Sequence, residues 1–574
     1  MTLISERSII TAYPWKTDAI TTEVVRHALE TIADEMGTSL KRTALSVVIK
    51  DMRDYTCAVL HKDGSLLAAA LTIPNLLASM EPALRACLEK WGSNINPGDV
   101  LITNHPYKGS AHSNDLQVFV PAFDDDGVLL GFTGSIAHHA DWGGTVPGTV
   151  QSAALSVFEE GVLLPALKLE SGGVPNDTIY EIIEANTRYP AQNFGDLRGQ
   201  LASARTGAQR FADLFRKYGN QRMWDVCDDL LGYTEQRTRR AIERFADGVY
   251  EAVGYLDDNG VERGVPVRIG VRVTVAGDTM TFDFEGTDLQ MRSGMNVPYA
   301  STLSVVHYAA HCILPDDIPF NAGANVPLTV KAPVGSLVNP TMPSAVGARH
   351  ITTERMASVV TRALVRVAPE RSSAEWSVGW PCLFAESWSP KTGEGVAVLL
   401  NVAGGAGAKD CGDGADGLDA HMSNCALVSA EAVESGYMLR VEQFSLIRDS
   451  GGHGEFRGGL GIRADYRNIS PSVMYARTEV EQSVEEFLPI GLAGGQSGIA
   501  TTSALIDAKG VKTPLPPKET TFLKPDEIIS LRAGGGAGYG DPKNRDRDLV
   551  LADIALSKVS REAALDVYGV ELSQ

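Results

Sequence analysis

The sequence predicts a multidomain protein of the mixed α/β (α+β) class. Three patterns support that class: apolar residues at helical spacing in the N-terminal part, alternating apolar runs that flank Asp-Gly and Gly-Asp pairs, and dense glycine after about residue 395. A chain of 574 residues is too long for one hydrophobic core. We therefore expect three regions, namely 1–260 with long helices, 261–395 of mixed α/β character, and 396–574 rich in strands and glycine.

Helices and strand pairs alternate in the N-terminal part. Two apolar runs meet at Asp63-Gly64, which is a strong hairpin signal, and a short helix is expected over 77–91. Between 98 and 138 the pattern is strand, loop, strand, turn and strand, with Asp126-Gly127 at the turn. Ahead of these elements, residues 21–48 predict a helix with one buried face, formed by Val25, Leu29, Ile32, Met36 and Leu40.

The middle of the chain changes from helix to strand and back to helix. Residues 194–250 predict two long helices that are interrupted at KYGNQRM, 217–223. After about residue 262 apolar and polar side chains alternate, with a turn at Gly277-Asp278. Helices are expected again over 299–314 and 351–367. The glycine-rich remainder predicts short strands joined by loops with unusual backbone torsions.

Charge and composition exclude several classes of protein. The chain has 51 basic and 71 acidic residues and a net charge of −20, whereas binding to nucleic acid or anionic lipid requires clustered positive charge. The N-terminus shows no signal-peptide pattern, and no apolar run approaches the ~20 residues of a membrane helix. Seven scattered cysteines without a CxxC pair predict reduced thiols. We expect a cytoplasmic protein without nucleic-acid or membrane partners.

Two neighbouring stretches concentrate histidine and aspartate. They are NHPYKGSAHSNDLQVFVPAF, residues 104–123, and GSIAHHADWGG, residues 134–144. Four of the eleven histidines fall within 35 residues there, in loops and at strand ends. Such positions commonly carry the functional groups of a rigid scaffold.

The spacing of these residues indicates a metal site. His112 and Asp115 form H-x-x-D, and His138 ends the next predicted strand, so that two loop residues and one strand residue can converge. Asp54, at the start of an earlier apolar run, is a candidate fourth ligand. Imidazole nitrogen and carboxylate oxygen suit a divalent ion of the zinc, manganese or iron class. The alternative interpretation is that these residues only form loop hydrogen bonds and turn caps.

Other motifs do not indicate a nucleotide site or a nucleophile. GGAGAKD, residues 404–410, lacks the G-K-[ST] ending of a phosphate loop, and GGGAGYG near the end does not open a helix in a βαβ unit. No G-x-S-x-G element is present. His307 and His311 lie four apart on a predicted helix but lack the glutamate of H-E-x-x-H, so we expect them to pack in the core.

Six ordered blocks between about residues 20 and 545 resemble the hydantoinase B/oxoprolinase family. The blocks are RDYTCAVLHKDGSLLA, GDVLITNHPYKGSAHSNDLQVFVPAF, IAHHADWGGTVPGT, NFGDLRGQLASARTG, DDIPFNAGANVPLTVKAPVGSLVNP and LRAGGGAGYGDP. The resemblance implies a divalent metal, zinc in the first place with manganese or iron as alternatives, on Asp54, His112, Asp115 and His138. His105 stands where the family usually has aspartate, and AHSND replaces the commoner THLPD.

The resemblance also implies that two different chains carry out successive steps of the reaction. A hydantoinase A-type partner holds ATP and Mg²⁺ and phosphorylates the substrate, and the B-type chain completes the reaction in a hetero-oligomer such as (AB)₂. His139 and Asp141 are the candidates for orienting a ligand or moving a proton, and His105 for altering the pocket or tuning a proton transfer.

Three functions follow from this resemblance. The first is a subunit of an ATP-dependent hydrolase of a cyclic amide such as hydantoin, 5-oxoproline or a related lactam. The second is a subunit of an ATP-dependent ketone carboxylase that acts on an enol phosphate. The third is a non-catalytic structural subunit whose histidines are only loop residues. We expect the hydrolase, because that branch of the family commonly has chains of about this length.

Overall fold

The computed structural model describes residues 13–571. Helices and strands form a mixed α/β, multidomain architecture with four β-sheets, which confirms the predicted fold class. The division into regions at 260/261 and 395/396 stays a prediction. Among the described residues, no helix is both long and apolar enough to cross a membrane, and all seven cysteines are unpaired thiols.

The first sheet carries the histidine-rich stretches. Its strands are β1 (Tyr55–His61), β2 (Leu66–Ala69), β3 (Val100–Thr103), β4 (Asp115–Phe123), β5 (Leu129–His138), β6 (Leu167–Ser171) and β7 (Val174–Pro175). They are antiparallel throughout, in the order β2-β1-β5-β4-β3-β6-β7. Both predicted hairpins are confirmed, with Gly64 and Gly127 at positive φ. Because β1 and β4 both run opposite to β5, the start of β1, the end of β5 and the start of β4 share one edge of the sheet.

Helices cover this sheet, and their boundaries correct two predictions. They are α1 (Ala19–Thr43), α2 (Val47–Lys50), α3 (Pro74–Leu77), α4 (Met80–Trp91), α5 (Asp177–Asn186), α6 (Pro190–Tyr218) and α7 (Asn220–Ile242). The predicted face of α1 is buried and packs with α6 in one hydrophobic cluster. The helix predicted over 21–48 is divided, because the N–H groups of Leu45 and Ser46 donate to Asp196 Oδ1. The helix predicted over 77–91 begins at Met80 instead.

The second sheet contains β8 (Gly248–Leu256), β9 (Val267–Ala276), β10 (Thr279–Asp283) and β11 (Leu328–Lys331). The turn at Gly277-Asp278 is confirmed between β9 and β10. The helix predicted to reach residue 250 is wrong at its end, because the residues from Gly248 onward pair with β9.

Three helices belong to this part of the chain, two of them between β10 and β11 and the third after β11. They are α8 (Tyr299–Ile313), α9 (Ala322–Asn325) and α10 (Arg349–Leu364). Buried residues of α8 and α10 share the hydrophobic cluster of the second sheet. His307 is buried in α8, as expected for a core residue. Helix α10 begins two residues before the predicted start. Those two residues, Arg349 and His350, belong to the site described below.

The C-terminal part contains two more sheets, in the orders β13-β12-β16-β19 and β14-β15-β20-β17-β18. Their strands are β12 (Cys382–Trp388), β13 (Gly395–Asn401), β14 (Leu439–Leu446), β15 (Ile462–Asn468), β16 (Met474–Glu479), β17 (Thr502–Ile506), β18 (Lys512–Leu515), β19 (Glu519–Leu523) and β20 (Ile528–Arg532). Helices α11 (Ala430–Gly436), α12 (Arg547–Ala555) and α13 (Arg561–Asp566) complete the described chain.

Glycine-rich segments pack against one another beside these sheets, and we call them the glycine layer: 404–417, 450–461, 491–498 and 533–540. Backbone groups bond directly between segments, with Gly459 N–H donating to Ala406 O at 2.8 Å and Gly536 N–H to Gly459 O at 2.9 Å. A Cβ added to Gly405 would overlap Gly459 O and lie 2.7 Å from Gly536 N. The absence of side chains therefore permits the close approach of these backbones.

Candidate metal centre

The edge of the first sheet brings three of the predicted ligands together. Asp115, the first residue of β4, is directly opposite His138, the last residue of β5. On the other side of β5, Tyr55 is opposite Ala137, and His138 N–H donates to Asp54 O at 3.0 Å. The antiparallel pairing alone therefore gathers Asp54, Asp115 and His138.

His112 joins this group from the loop before β4. Its carbonyl accepts the N–H of Asp115 at 3.1 Å, so that the loop folds back over the strand end. Its ring nitrogen Nδ1 lies 3.0 Å from Gly347 O and donates to that carbonyl. The other nitrogen, Nε2, faces Asp115 and His138.

Three ligand atoms form a nearly regular triangle. His112 Nε2 lies 3.0 Å from Asp115 Oδ1 and 3.1 Å from His138 Nδ1, and His138 Nδ1 lies 3.3 Å from Asp115 Oδ1. An ion bound tetrahedrally at about 2.0–2.1 Å holds its ligand atoms about 3.3–3.4 Å apart. Only a small expansion of the triangle would therefore admit one ion. Among the described residues this is the one group of His, Cys, Asp and Glu with metal-binding geometry.

Asp54 lies beside the triangle rather than in it. Its Oδ2 is 3.9 Å from His138 Nδ1, and the residue is not part of the group whose ligand atoms all lie within 4.8 Å of one another. Burial raises the pKa of its carboxyl to about 6. Asp54 as a fourth ligand stays a prediction.

The chemistry of the donor set fits a cation between its atoms. Burial lowers the pKa of His112 to about 4, so the ring is neutral at pH 7. With Nδ1–H committed to Gly347 O, Nε2 presents a lone pair, and it points at a carboxylate oxygen only 3.0 Å away. Burial acts to raise the pKa of Asp115. The nearby His112 and Arg349 outweigh burial and hold the pKa of that carboxyl well below its usual range. Facing electron pairs of this kind fit a divalent metal.

Residues 347–349, which lie more than 230 residues later in the sequence, hold two of these ligands in place. Arg349, at the start of α10, donates from Nη2 to Asp115 Oδ2 at 2.5 Å and leaves Oδ1 for the triangle. Two residues earlier, Gly347 O receives His112 Nδ1–H. Glu160 in turn accepts the N–H groups of Val346 at 2.9 Å and Gly347 at 2.6 Å. Glu160 therefore positions His112 through Gly347.

Replacing Glu160 with alanine is expected to weaken metal binding roughly 10- to 100-fold and to lower stability by about 2–4 kcal/mol. The buried N–H groups of Val346 and Gly347 would lose their acceptor, and Gly347 O would no longer be held against His112. Metal titration and thermal unfolding measure the two effects. Glu159→Ala, at the neighbouring residue, is the control, and equal metal affinity in both variants would contradict the positioning role.

A small buried cavity of about 40 Å³ adjoins the triangle. His112, His138 and Asp54 line it together with Arg349, His350 and Glu354 of α10; the remaining lining residues are Ile73, Asn75, Leu76, Val150, Trp380, Phe384, Leu399, Met422, Ser423 and Cys425. A space of this size holds roughly one to three water molecules. The site therefore combines a ligand triangle, fixed positive charge and a water-sized chamber.

Sequence reasoning missed the contribution of α10. The segment GARHITTER, 347–355, contains three of the cavity side chains, but the predicted helix started at 351 and excluded Arg349 and His350. A signal was present, since polar residues such as Glu354 are unusual in a helix that is otherwise buried.

The predicted catalytic residues lie away from the cavity. His139 comes directly after the last residue of β5, and its Nε2 lies 2.9 Å from Gln200 Oε1 on α6 instead of lining the chamber. Asp141 accepts the N–H groups of Gly143 and Gly148 and pairs with Arg188, which holds the following loop. His105 is half-buried, and burial lowers its pKa. Within residues 13–571 none of the three lines the chamber, so a direct contact with substrate there lacks geometric support.

Curated relatives share nearly the whole chain. An uncharacterized protein of Methanocaldococcus jannaschii is 32% identical over 562 residues, which cover 97% of this chain and 96% of that protein. The B-type chain of a "Putative D-/L-hydantoinase" from Pseudomonas sp. (strain NS671) is 31% identical over 97% of this chain and 96% of its own. The 5-oxoprolinase 1 of Arabidopsis thaliana is 29% identical over 91% of this chain, which matches 42% of that longer protein.

Solved structures share the architecture. The ATP-dependent caprolactamase from Pseudomonas jessenii superposes with a TM-score of 0.91 at 27% identity, over 97% of each chain. A nucleotide-free acetone carboxylase superposes with a TM-score of 0.87 over 96% of this chain and 80% of its own. At 19% identity, that second likeness shows the fold alone.

A sequence model of one family spans most of the chain and agrees with the relatives. The model describes Hydantoinase B/oxoprolinase and matches residues 18–542. This range includes the first sheet, all three residues of the ligand triangle, and Gly347 and Arg349, which bond to His112 and Asp115. The chain therefore belongs to the hydantoinase B/oxoprolinase family.

Proposed function

We propose that this chain is the metal-containing subunit of an ATP-dependent hydrolase of cyclic amides, of the hydantoinase, oxoprolinase or lactamase type. The observation that carries the proposal is the convergence of His112, Asp115 and His138 on one point beside a buried chamber. The named relatives support the substrate class, since they include a hydantoinase chain, a 5-oxoprolinase and a caprolactamase.

The chain requires a partner that handles ATP. An unactivated amide resists hydrolysis, and phosphorylation of its oxygen makes the carbon electrophilic and the oxygen a leaving group. The sequence contains no G-x-x-x-x-G-K-[ST] phosphate loop, so ATP and Mg²⁺ are assigned to a hydantoinase A-type subunit. We infer a cytoplasmic hetero-oligomer such as (AB)₂, in which this chain receives the phosphorylated cyclic amide.

His112, Asp115 and His138 would hold the ion, with Asp54 as the nearest further oxygen ligand. Zinc is our first choice, and manganese or iron are alternatives, because two imidazoles and a carboxylate suit all three. When bound, such an ion supplies Lewis acidity that polarises an oxygen and readies water at neutral pH. Gly347 keeps His112 in the tautomer that presents Nε2, and Arg349 turns Asp115 Oδ1 toward the triangle.

We expect the chamber to enlarge when a substrate binds. Its volume of about 40 Å³ has room for only a few water-sized groups. Part of its wall consists of the large side chains of Trp380, Phe384 and Met422. We therefore expect these side chains to shift when the ring enters, after which the closed site excludes bulk water and so protects the phosphorylated substrate.

Co-expression with an A-type subunit tests the proposal. The complex should open the ring of at least one of hydantoin, 5-oxoproline and caprolactam, and only when ATP, the divalent metal and both chains are present. Mass spectrometry of the products, after incubation with and without bicarbonate and with ketones as competing substrates, identifies the reaction. Carboxylated product from a ketone would replace this proposal with carboxylation, and full activity in a metal chelator would favour a structural role.

A further inference from the structure

The side chain of Glu354 lines the same chamber as two residues of the ligand triangle. It is 1% exposed and stands one helical turn beyond His350 in α10. Glu354, His112 and His138 line the same cavity of about 40 Å³. Because that space holds only roughly one to three water molecules, a group that bridges the chamber can touch Glu354 and the triangle together.

One carboxyl oxygen of Glu354 has no partner. Oε1 accepts the N–H of Met422 at 3.1 Å, whereas Oε2 is fully buried without a hydrogen-bond partner among the described residues. A buried polar atom without a partner costs about 1–3 kcal/mol, so it needs an explanation. An oxygen directed at a ligand that arrives only during the reaction provides one.

The surroundings of this carboxyl favour its protonated form. Burial raises the pKa of Glu354 well above its usual range, and Asp419 raises it further, while backbone N–H groups and Arg349 oppose them only in part. The guanidinium of Arg349 is already bound to Asp115 Oδ2. Across residues 13–571, Glu354 forms no ion pair. Its neighbours with ionisable side chains are Arg349 and His350 on its own helix, Tyr308 on α8, Asp419 and Cys425 in the segment between β13 and β14, and Asp54, His112 and His138, which line the same chamber.

We propose that Glu354 is the acid that protonates the ring nitrogen when the C–N bond breaks, and so decides which group leaves. This inference rests on the proposed function. Water adds to the carbon of the phosphorylated amide. The oxygen of the water forms the new C–O bond, and one proton of the water passes to the ring nitrogen. The adduct then carries a hydroxyl, a phosphate and the ring nitrogen on one carbon.

Two bonds of that adduct can break, and only one of them is productive. If the C–O bond to phosphate breaks, phosphate leaves with the electron pair, the hydroxyl loses its proton, and the original amide returns after wasting one ATP. If the C–N bond breaks, the electron pair stays on nitrogen, which takes the proton from Glu354 Oε2. The hydroxyl proton returns to Glu354, and the acyl phosphate that remains is hydrolysed by a second water molecule to carboxylate and phosphate.

Glu354→Gln in the assembled complex is expected to separate phosphate release from ring opening. General acids typically contribute 10²- to 10⁴-fold, so ring-opened product should fall at least about 100-fold while phosphate release stays within about twofold of the unmodified complex. The ratio of phosphate to ring-opened product should rise accordingly from about one. Metal content should not change, because Glu354 is not a member of the ligand triangle.

The measurement uses whichever of hydantoin, 5-oxoproline and caprolactam the unmodified complex opens, and it quantifies phosphate and product in the same samples. Glu354→Asp should restore part of the coupling, and Glu386→Gln, at a half-buried glutamate that accepts from Tyr189, should leave the ratio unchanged. A parallel fall of phosphate and product in Glu354→Gln would reject the acid role. Failure of the unmodified complex to open any ring would instead reject the proposed function.

Discussion

Replacing His112 with alanine is expected to remove the metal and to reduce ring opening at least about 1000-fold, while the partner subunit continues to hydrolyse ATP. The ring supplies one corner of the triangle, and it is fixed there through Gly347. A bound divalent ion contributes several kcal/mol to the transition state, and about 4 kcal/mol corresponds to three factors of ten in rate.

Elemental analysis of the purified complex and product assays measure the two losses. His27→Ala is the matched control, because His27 is exposed on α1 and is not one of the residues that line the site. Both variants should fold, since the chamber already contains space for water. Retention of stoichiometric metal and activity in His112→Ala would refute the metal site and, with it, the proposed function.

Gly405→Ala is expected to prevent stable folding of the C-terminal part. The new Cβ would overlap the carbonyl of Gly459 and lie 2.7 Å from Gly536 N. All these atoms are backbone, and hydrogen bonds of the glycine layer hold them, so no flexible side chain can yield. Since natural proteins are stable by only about 5–15 kcal/mol, a loss of at least about 4 kcal/mol would leave much of the protein unfolded.

Soluble yield and the midpoint of thermal unfolding measure this effect. Gly412→Ala is the matched control from the same glycine-rich stretch, because a Cβ there would meet no heavy atom within 4 Å. The control should unfold at the same temperature as the unmodified protein. If the two alanine variants proved equally stable, the close backbone packing described for the glycine layer would be wrong.

Local signals in the sequence predicted local structure well. The Asp63-Gly64 and Asp126-Gly127 pairs fix their hairpins through torsions that glycine adopts easily, and five apolar residues at helical spacing define the buried face of α1. The end of the helix predicted over 21–48 could not be placed in this way. The acceptor that diverts the chain at Leu45 and Ser46 is Asp196, about 150 residues away.

The sequence predicted those ligands that strand pairing brings together. It did not predict the residues that distant segments of the chain contribute to the site. Antiparallel pairing brings Asp115 opposite His138, and the resemblance to the family selects His138 rather than His139. In the structure the ring of His138 lines the chamber, whereas the ring of His139 lies against Gln200. Nothing near His112 in sequence indicated that Gly347 would orient it, because that contact depends on how α10 packs against the sheet.

The distance along the chain between Asp115 and Arg349 has a consequence for synthesis in the cell. Arg349 follows Asp115 by 234 residues, so at ribosomal rates of about 5–20 residues per second the arginine emerges on the order of ten to fifty seconds later. During that interval the nascent polypeptide exposes two imidazoles and a carboxylate without the groups that orient them. We therefore expect metal loading to follow the folding of α10, and a truncated translation product that stops before α10 to bind a divalent ion more weakly than the whole chain.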